Sequence, residues 1–91
     1  MNTKNKHKEK TNILVVDDEQ ENLSTMEAIL APLGVNIIKA SSGHEALSHL
    51  LQHEAAVILM DVMMPDMDGF ETSALIRQQE TLKNIPIIFI T

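Results

Sequence analysis

Short apolar runs alternate with segments of helical spacing along this chain, and that alternation restricts the available folds more than any other feature. The runs at residues 13–16, 35–40, 56–60 and 87–90 have strand length and are rich in Ile and Val. Apolar runs of this length suit strands buried on both faces. Between the first two, Leu23, Met26, Ile29, Leu30 and Leu33 follow helical spacing up to the stop signal Gly34. Ser42 then stands three residues before Glu45, the form of a capping box, and Ala46, Leu47, Leu50 and Leu51 make the apolar stripe of the helix it opens. Residues 61–69 read as a loop marked by Pro65 and Gly69, with Asp66 and Asp68 as turn and helix-start residues. Phe70, Ala74, Leu75 and Ile76 lie on the next helix, and Pro86 is tolerable where the last strand begins.

The predicted order is βαβαβαβ. Strict alternation implies a parallel sheet covered on both faces, with right-handed crossovers. The fold class is therefore α/β with a doubly wound parallel sheet, for which the flavodoxin-like order 2-1-3-4 is the expected arrangement. Strands one and three are then neighbours, and the chain reverses direction between them. Ligands of such sheets bind beyond the carboxyl ends of the strands at that switch point. Asp17 and Asp18 close the first run there and Asp61 closes the third, while Thr91 ends the fourth, one strand further along the same rim.

Bulk properties narrow the chemistry. Ninety-one residues, 44% of them hydrophobic, make one small domain with a thin stability margin. A net charge of −6 argues against nucleic acid or an anionic membrane as partner. The absence of cysteine removes disulfides, thiolate catalysis and thiolate zinc sites, and fits a cytoplasmic location. No stretch approaches the ~18 apolar residues of a membrane span. Residues 1–11 are polar and Lys-rich and read as a flexible leader or linker ahead of a domain at 12–91.

Three clustered carboxylates repel one another, so either their pKa values rise or a cation compensates. A hard oxygen site of few protein ligands suits Mg²⁺, which prefers octahedral geometry and keeps several waters. His7, His44, His49 and His53 fall away from these strand ends, and the sulfurs of Met60, Met63, Met64 and Met67 are ligands Mg²⁺ would not choose; they read as core and loop packing. A carboxylate can also attack phosphorus to give an acyl phosphate. Asp61, alone at its strand end, is the better placed nucleophile, which leaves Asp17-Asp18 for the metal. Taken singly the residues are less telling: either Asp17 or Asp18 could cap the following helix, and Thr91 could be a simple β-former.

The segments Ile-Leu-Val-Val-Asp17-Asp18-Glu19, Met60-Asp61-Val62-Met63-Met64-Pro65-Asp66-Met67-Asp68-Gly69 and Pro86-Ile-Ile-Phe-Ile-Thr91 resemble a response-regulator receiver domain of two-component signalling, chemotaxis-regulator-like. The resemblance runs from about Asn12 to Thr91. It implies that Asp61 accepts a phosphoryl group from a phosphohistidine on a histidine kinase or histidine phosphotransfer protein. It implies that Asp17, Asp18, Asp61 and the backbone carbonyl of Met63 hold Mg²⁺, and that Thr91 is the switch hydroxyl. Pro65 and Gly69 match the loop that shapes the site. Such a module catalyses its own phosphorylation and is not otherwise an enzyme.

The same resemblance implies a departure. Family members continue into a fifth strand and helix, with a lysine that pairs with the phosphoryl group; this sequence stops before them, and Lys83 precedes the fourth strand on the opposite rim. An exposed fourth strand would invite self-association by edge pairing. Two further functions are therefore weighed: a receiver-like interaction or dimerisation module without productive phosphorylation, and a Mg²⁺-dependent aspartyl phosphohydrolase. The hydrolase pattern has Asp-x-Asp where this chain has adjacent aspartates. A flavin site is a weaker reading still, because an aromatic content of 2% provides nothing to sandwich a flavin ring.

Overall fold

The computed structural model describes residues 10–90. Within them the chain runs β1 (Asn12–Val16), α1 (Gln20–Leu30), a short 3-10 turn (Ala31–Leu33), β2 (Asn36–Ala40), α2 (Gly43–Gln52), β3 (Val57–Asp61), α3 (Gly69–Gln78) and β4 (Ile87–Ile90). The four strands form one sheet of order β2-β1-β3-β4 with every pairing parallel, the predicted topology.

Period-two alternation divides the core between the faces of this sheet. Ile13 and Val15 point to the side of α1, where Leu23 is buried and Met26 and Leu30 pack. Leu14 and Val16 point to the other side, with Ile58 and Met60 of β3, against Ala46 and Leu50 of α2 and Ile76 of α3. Each central strand thus has apolar side chains on both faces, which is why β1 and β3 carry no internal polar residue.

Several expected boundaries and burials differ. The α-helix ends at Leu30 because Pro32 has no N–H to continue the ladder; the chain tightens into the 3-10 turn, and Gly34 closes it at φ 72°. Ile29 and Leu33, expected on the buried stripe, are exposed. Ser42 caps α2 by accepting from the Glu45 N–H (3.0 Å), but Glu45 reaches Ser41 instead of closing the box on Ser42; Leu51 at 80% exposure falls outside the stripe. β2 begins one residue later than expected, and β3 extends through Asp61, so this carboxylate stands on the last residue of a strand and not in the loop. The reciprocal box is found on α3: Asp68 accepts from the Glu71 N–H (2.8 Å), and Glu71 from the Asp68 N–H (3.0 Å). Phe70 and Leu75 on α3 are exposed, the ring of Phe70 lying tilted against that of Phe89 of β4 with centroids 4.9 Å apart. Among the described residues no helix is long and apolar enough to cross a membrane.

Candidate phosphoacceptor and metal site

Strand register builds the site. Val16 pairs with Met60 in the parallel β1–β3 ladder, so the residues that follow, Asp17 and Asp61, emerge side by side. Asp18 comes next on the loop to α1. One oxygen from each of Asp17, Asp18 and Asp61 can be chosen so that all lie within 4.8 Å of one another. A cleft of about 290 Å³ opens here, lined by Asp17, Asn22, Thr25, Met26, Asp61 and Ile90. The carboxylates separated by some forty residues in sequence are brought together, as the order 2-1-3-4 requires.

Their environments differ. Asp17 is only 6% exposed, and its backbone N–H donates to the Ala40 carbonyl (3.0 Å). Its Oδ1 accepts from the Glu19 N–H (2.9 Å) and its Oδ2 from Asn22 Nδ2 (3.2 Å). Asp18 is exposed. Neither aspartate is the N-cap of α1; that position is Glu19, whose side chain makes no capping bond. Burial pushes the Asp61 carboxyl above the usual carboxylate range, and the negative charges of Asp17 and Asp18 push it further; the Met63 N–H, donating to Asp61 Oδ1 at 3.2 Å, opposes this by favouring the charged form.

The loop after β3 is held by its backbone. Gly69 N–H returns to the Val62 carbonyl (2.9 Å), Met67 N–H to the Pro65 carbonyl (2.8 Å), and Asp66 sits at φ 67°, a left-handed conformation that Asp tolerates better than most residues. Gly69 is buried against the strand end: a Cβ there would strike the Asp61 carbonyl oxygen and lie 2.9 Å from Val62 Cα. Of the methionines expected in core and loop packing, Met60 and Met64 are buried, whereas Met63, on the loop, is 77% exposed. His44, His49 and His53 belong to α2 and its C-terminal cap, apart from the acidic group. Thr91 lies outside the described residues, as do residues 1–9 of the expected leader. Lys83 pairs with Glu80 (2.9 Å) in the turn before β4, away from the acidic rim.

Asn22 stands outside the sequence motifs, and Glu19, although it lies in the segment Asp17-Asp18-Glu19, had no role assigned to it there. Helical side chains lean toward the helix N-terminus, so a polar residue in the first turn after an acidic strand end was the available signal.

The donor set fits Mg²⁺: three clustered carboxylates offer hard oxygen, the rim is open enough to leave water on the ion, and among the described residues no other group of three acidic or histidine side chains forms such a cluster.

Comparison with known proteins adds the family. A profile for the response regulator receiver domain matches residues 13–91. Protein PilG of Pseudomonas aeruginosa is 33% identical over 79 residues, covering 87% of this chain and 58% of that protein. The CAI-1 autoinducer sensor kinase/phosphatase CqsS of Vibrio cholerae is 38% identical over 84 residues, 91% of this chain but 12% of that protein. The crystal structure of the N-terminal domain of a response regulator receiver protein from Methanoculleus marisnigri superposes with a TM-score of 0.85 at 35% identity, covering 88% of this chain and 65% of that one. The chain thus spans less than two-thirds of the length of these three relatives.

Proposed function

We propose, for a chain that belongs to the response regulator receiver domain family of two-component signalling, that Asp61 is its phosphoacceptor and that Asp17, Asp18, Asp61 and the Met63 carbonyl hold Mg²⁺. The observation that carries this reading is the convergence of three carboxylates at the switch point of the sheet, with Asp61 at the strand end and Asp17 fixed by two donors. The donor is a phosphohistidine on a histidine kinase or histidine phosphotransfer protein. An Asp61 oxygen attacks phosphorus, the P–N bond breaks, and its electron pair returns to the imidazole, leaving an acyl phosphate on Asp61. A bound Mg²⁺ supplies positive charge that offsets the three carboxylates and the incoming phosphoryl oxygens.

The chain's own part is positional. The Met63 N–H fixes one Asp61 oxygen, and Gly69 lets the loop lie against the strand end. The Thr91 hydroxyl serves as the switch group, donating to the phosphoryl oxygens. The receiver unit covers residues 12–91 behind a polar leader, and it works in the cytoplasm, where kinase and Mg²⁺ are both available. Incubation with a small acyl-phosphate donor is expected to give a hydroxylamine-sensitive adduct, detected by intact-mass spectrometry and abolished by chelation of Mg²⁺. Absence of any adduct at saturating donor and Mg²⁺ would sink the reading.

A second reading, an interaction module, is favoured by a different observation: Ile88 and Phe89 of edge strand β4 and Phe70 beside them are exposed. Edge pairing predicts a molar mass that rises with concentration in light scattering; a constant monomer mass excludes it.

A further inference from the structure

We propose that Asn22 is a positioning residue of the acidic site, holding Asp17 in the orientation that receives the cation. The inference rests on the reading above that Asp17 belongs to the metal-holding set. It goes further by assigning a role to a neutral side chain on α1.

Asp17 is the buried member of the trio, and its two oxygens have different partners. Oδ1 is held by a backbone donor, the Glu19 N–H, which any residue but proline at that position would supply. Oδ2 is held by Asn22 Nδ2 at 3.2 Å, a bond that only the side chain at position 22 provides. The same amide nitrogen lies 3.3 Å from Glu19 Oε1. Asn22 therefore places a neutral donor between two carboxylates, draws Glu19 toward the rim and lowers the repulsion between them. Its backbone is fixed in turn, because Asn22 N–H donates to the Glu19 carbonyl at 3.1 Å in the first turn of α1.

With both oxygens tethered, Asp17 loses its freedom to rotate. Each oxygen retains further lone-pair capacity for a cation or a water on it. Groups that orient a ligand in this way commonly change metal affinity 10- to 100-fold when removed. Asn22 also lines the cleft beside Asp17 and Asp61, so the tether is part of the cavity wall. Aspartate at position 22 would lack the donor and add a fourth charge; leucine would keep the size and helix propensity while removing the amide.

The test is calorimetric titration of Mg²⁺ into the full chain, its Asn22→Leu, Asn22→Gln and Asp17→Asn variants, with metal-free urea unfolding of each. Asn22→Leu is expected to weaken Mg²⁺ roughly 10-fold with the urea midpoint unchanged, since the side chain is exposed at the start of a helix. Asn22→Gln, which restores an amide on a longer arm, is expected to recover most of the affinity. Wild-type affinity in Asn22→Leu, or equal losses in Asn22→Leu and Asn22→Gln, overturns the positioning role while a weakened Asp17→Asn leaves the metal site standing. No saturable Mg²⁺ binding by the wild type, or no loss on Asp17→Asn, overturns the underlying metal assignment instead.

Discussion

Replacing Asp61 by asparagine is expected to remove the acyl-phosphate adduct to background while making the metal-free protein more stable at neutral pH. The two effects share one cause. Burial and the charges of Asp17 and Asp18 raise the Asp61 carboxyl above its ordinary range. A group whose folded pKa is raised stabilises the fold fully only below its unfolded pKa, and that contribution is lost as pH rises through the folded value. At neutral pH the ionised Asp61 therefore costs stability, and a neutral amide of the same shape does not. The gain is on the order of 0.5 kcal/mol, discounted because Asp61 is partly open to water, which screens its neighbours.

Urea unfolding of Asp61→Asn and wild type without metal, from neutral to acid pH, checks the sign: the difference shrinks as pH falls through the carboxylate range. Saturating Mg²⁺ should reverse the order, because a ligand that binds only the folded state adds RT ln(1 + [L]/Kd) to the wild type. A variant that keeps the adduct would move the nucleophile elsewhere. One that loses stability in the absence of metal would contradict the electrostatic account.

The second large effect is expected at Gly69, from sterics alone. Its φ is not in the left-handed region, and it begins α3, where alanine would ordinarily favour the helix by about 1 kcal/mol. The space decides otherwise. An added Cβ strikes the Asp61 carbonyl oxygen and crowds Val62 Cα, and both are backbone atoms that cannot yield by rotation. Gly69→Ala is expected to cost roughly 2–3 kcal/mol, in the range of overpacked positions, and to shift the strand end that carries the nucleophile. Its denaturation midpoint and its adduct yield should therefore fall together. Gly34→Ala is the control: φ is 72° there and the surroundings are open, so the expected cost is about 1–2 kcal/mol of backbone strain, with adduct yield unchanged in the folded protein. Equal behaviour of the two variants would remove Gly69 from the site.

These contrasts separate what the linear pattern carries from what it does not. Ile13 to Val16 are apolar without interruption because β1 is central and covered on both faces, so a buried strand was readable from residue type alone. Ile29 and Leu33 at the end of the first helical stripe and Leu51 at the end of the second were also apolar at helical spacing, yet these side chains face solvent. Spacing reports which residues share a helix face; it does not report how far the neighbouring sheet extends beneath that face. Pro32 then tightens the chain into a turn and rotates Leu33 away from the stripe.

Residue pattern by itself determined the α/β alternation, the parallel sheet and the placement of Asp17, Asp18 and Asp61 on one rim. Each of these follows from local periodicity and the handedness of βαβ connections. Only the tertiary structure decided the β1–β3 register that sets Asp17 beside Asp61, the burial that separates Asp17 from Asp18, the Asn22 amide between Asp17 and Glu19, and the approach of Gly69 to the Asp61 carbonyl. Those are contacts of a few ångströms between side chains and backbone from different elements. They depend on how strands and helices are packed against one another, a distance that no spacing within one element encodes.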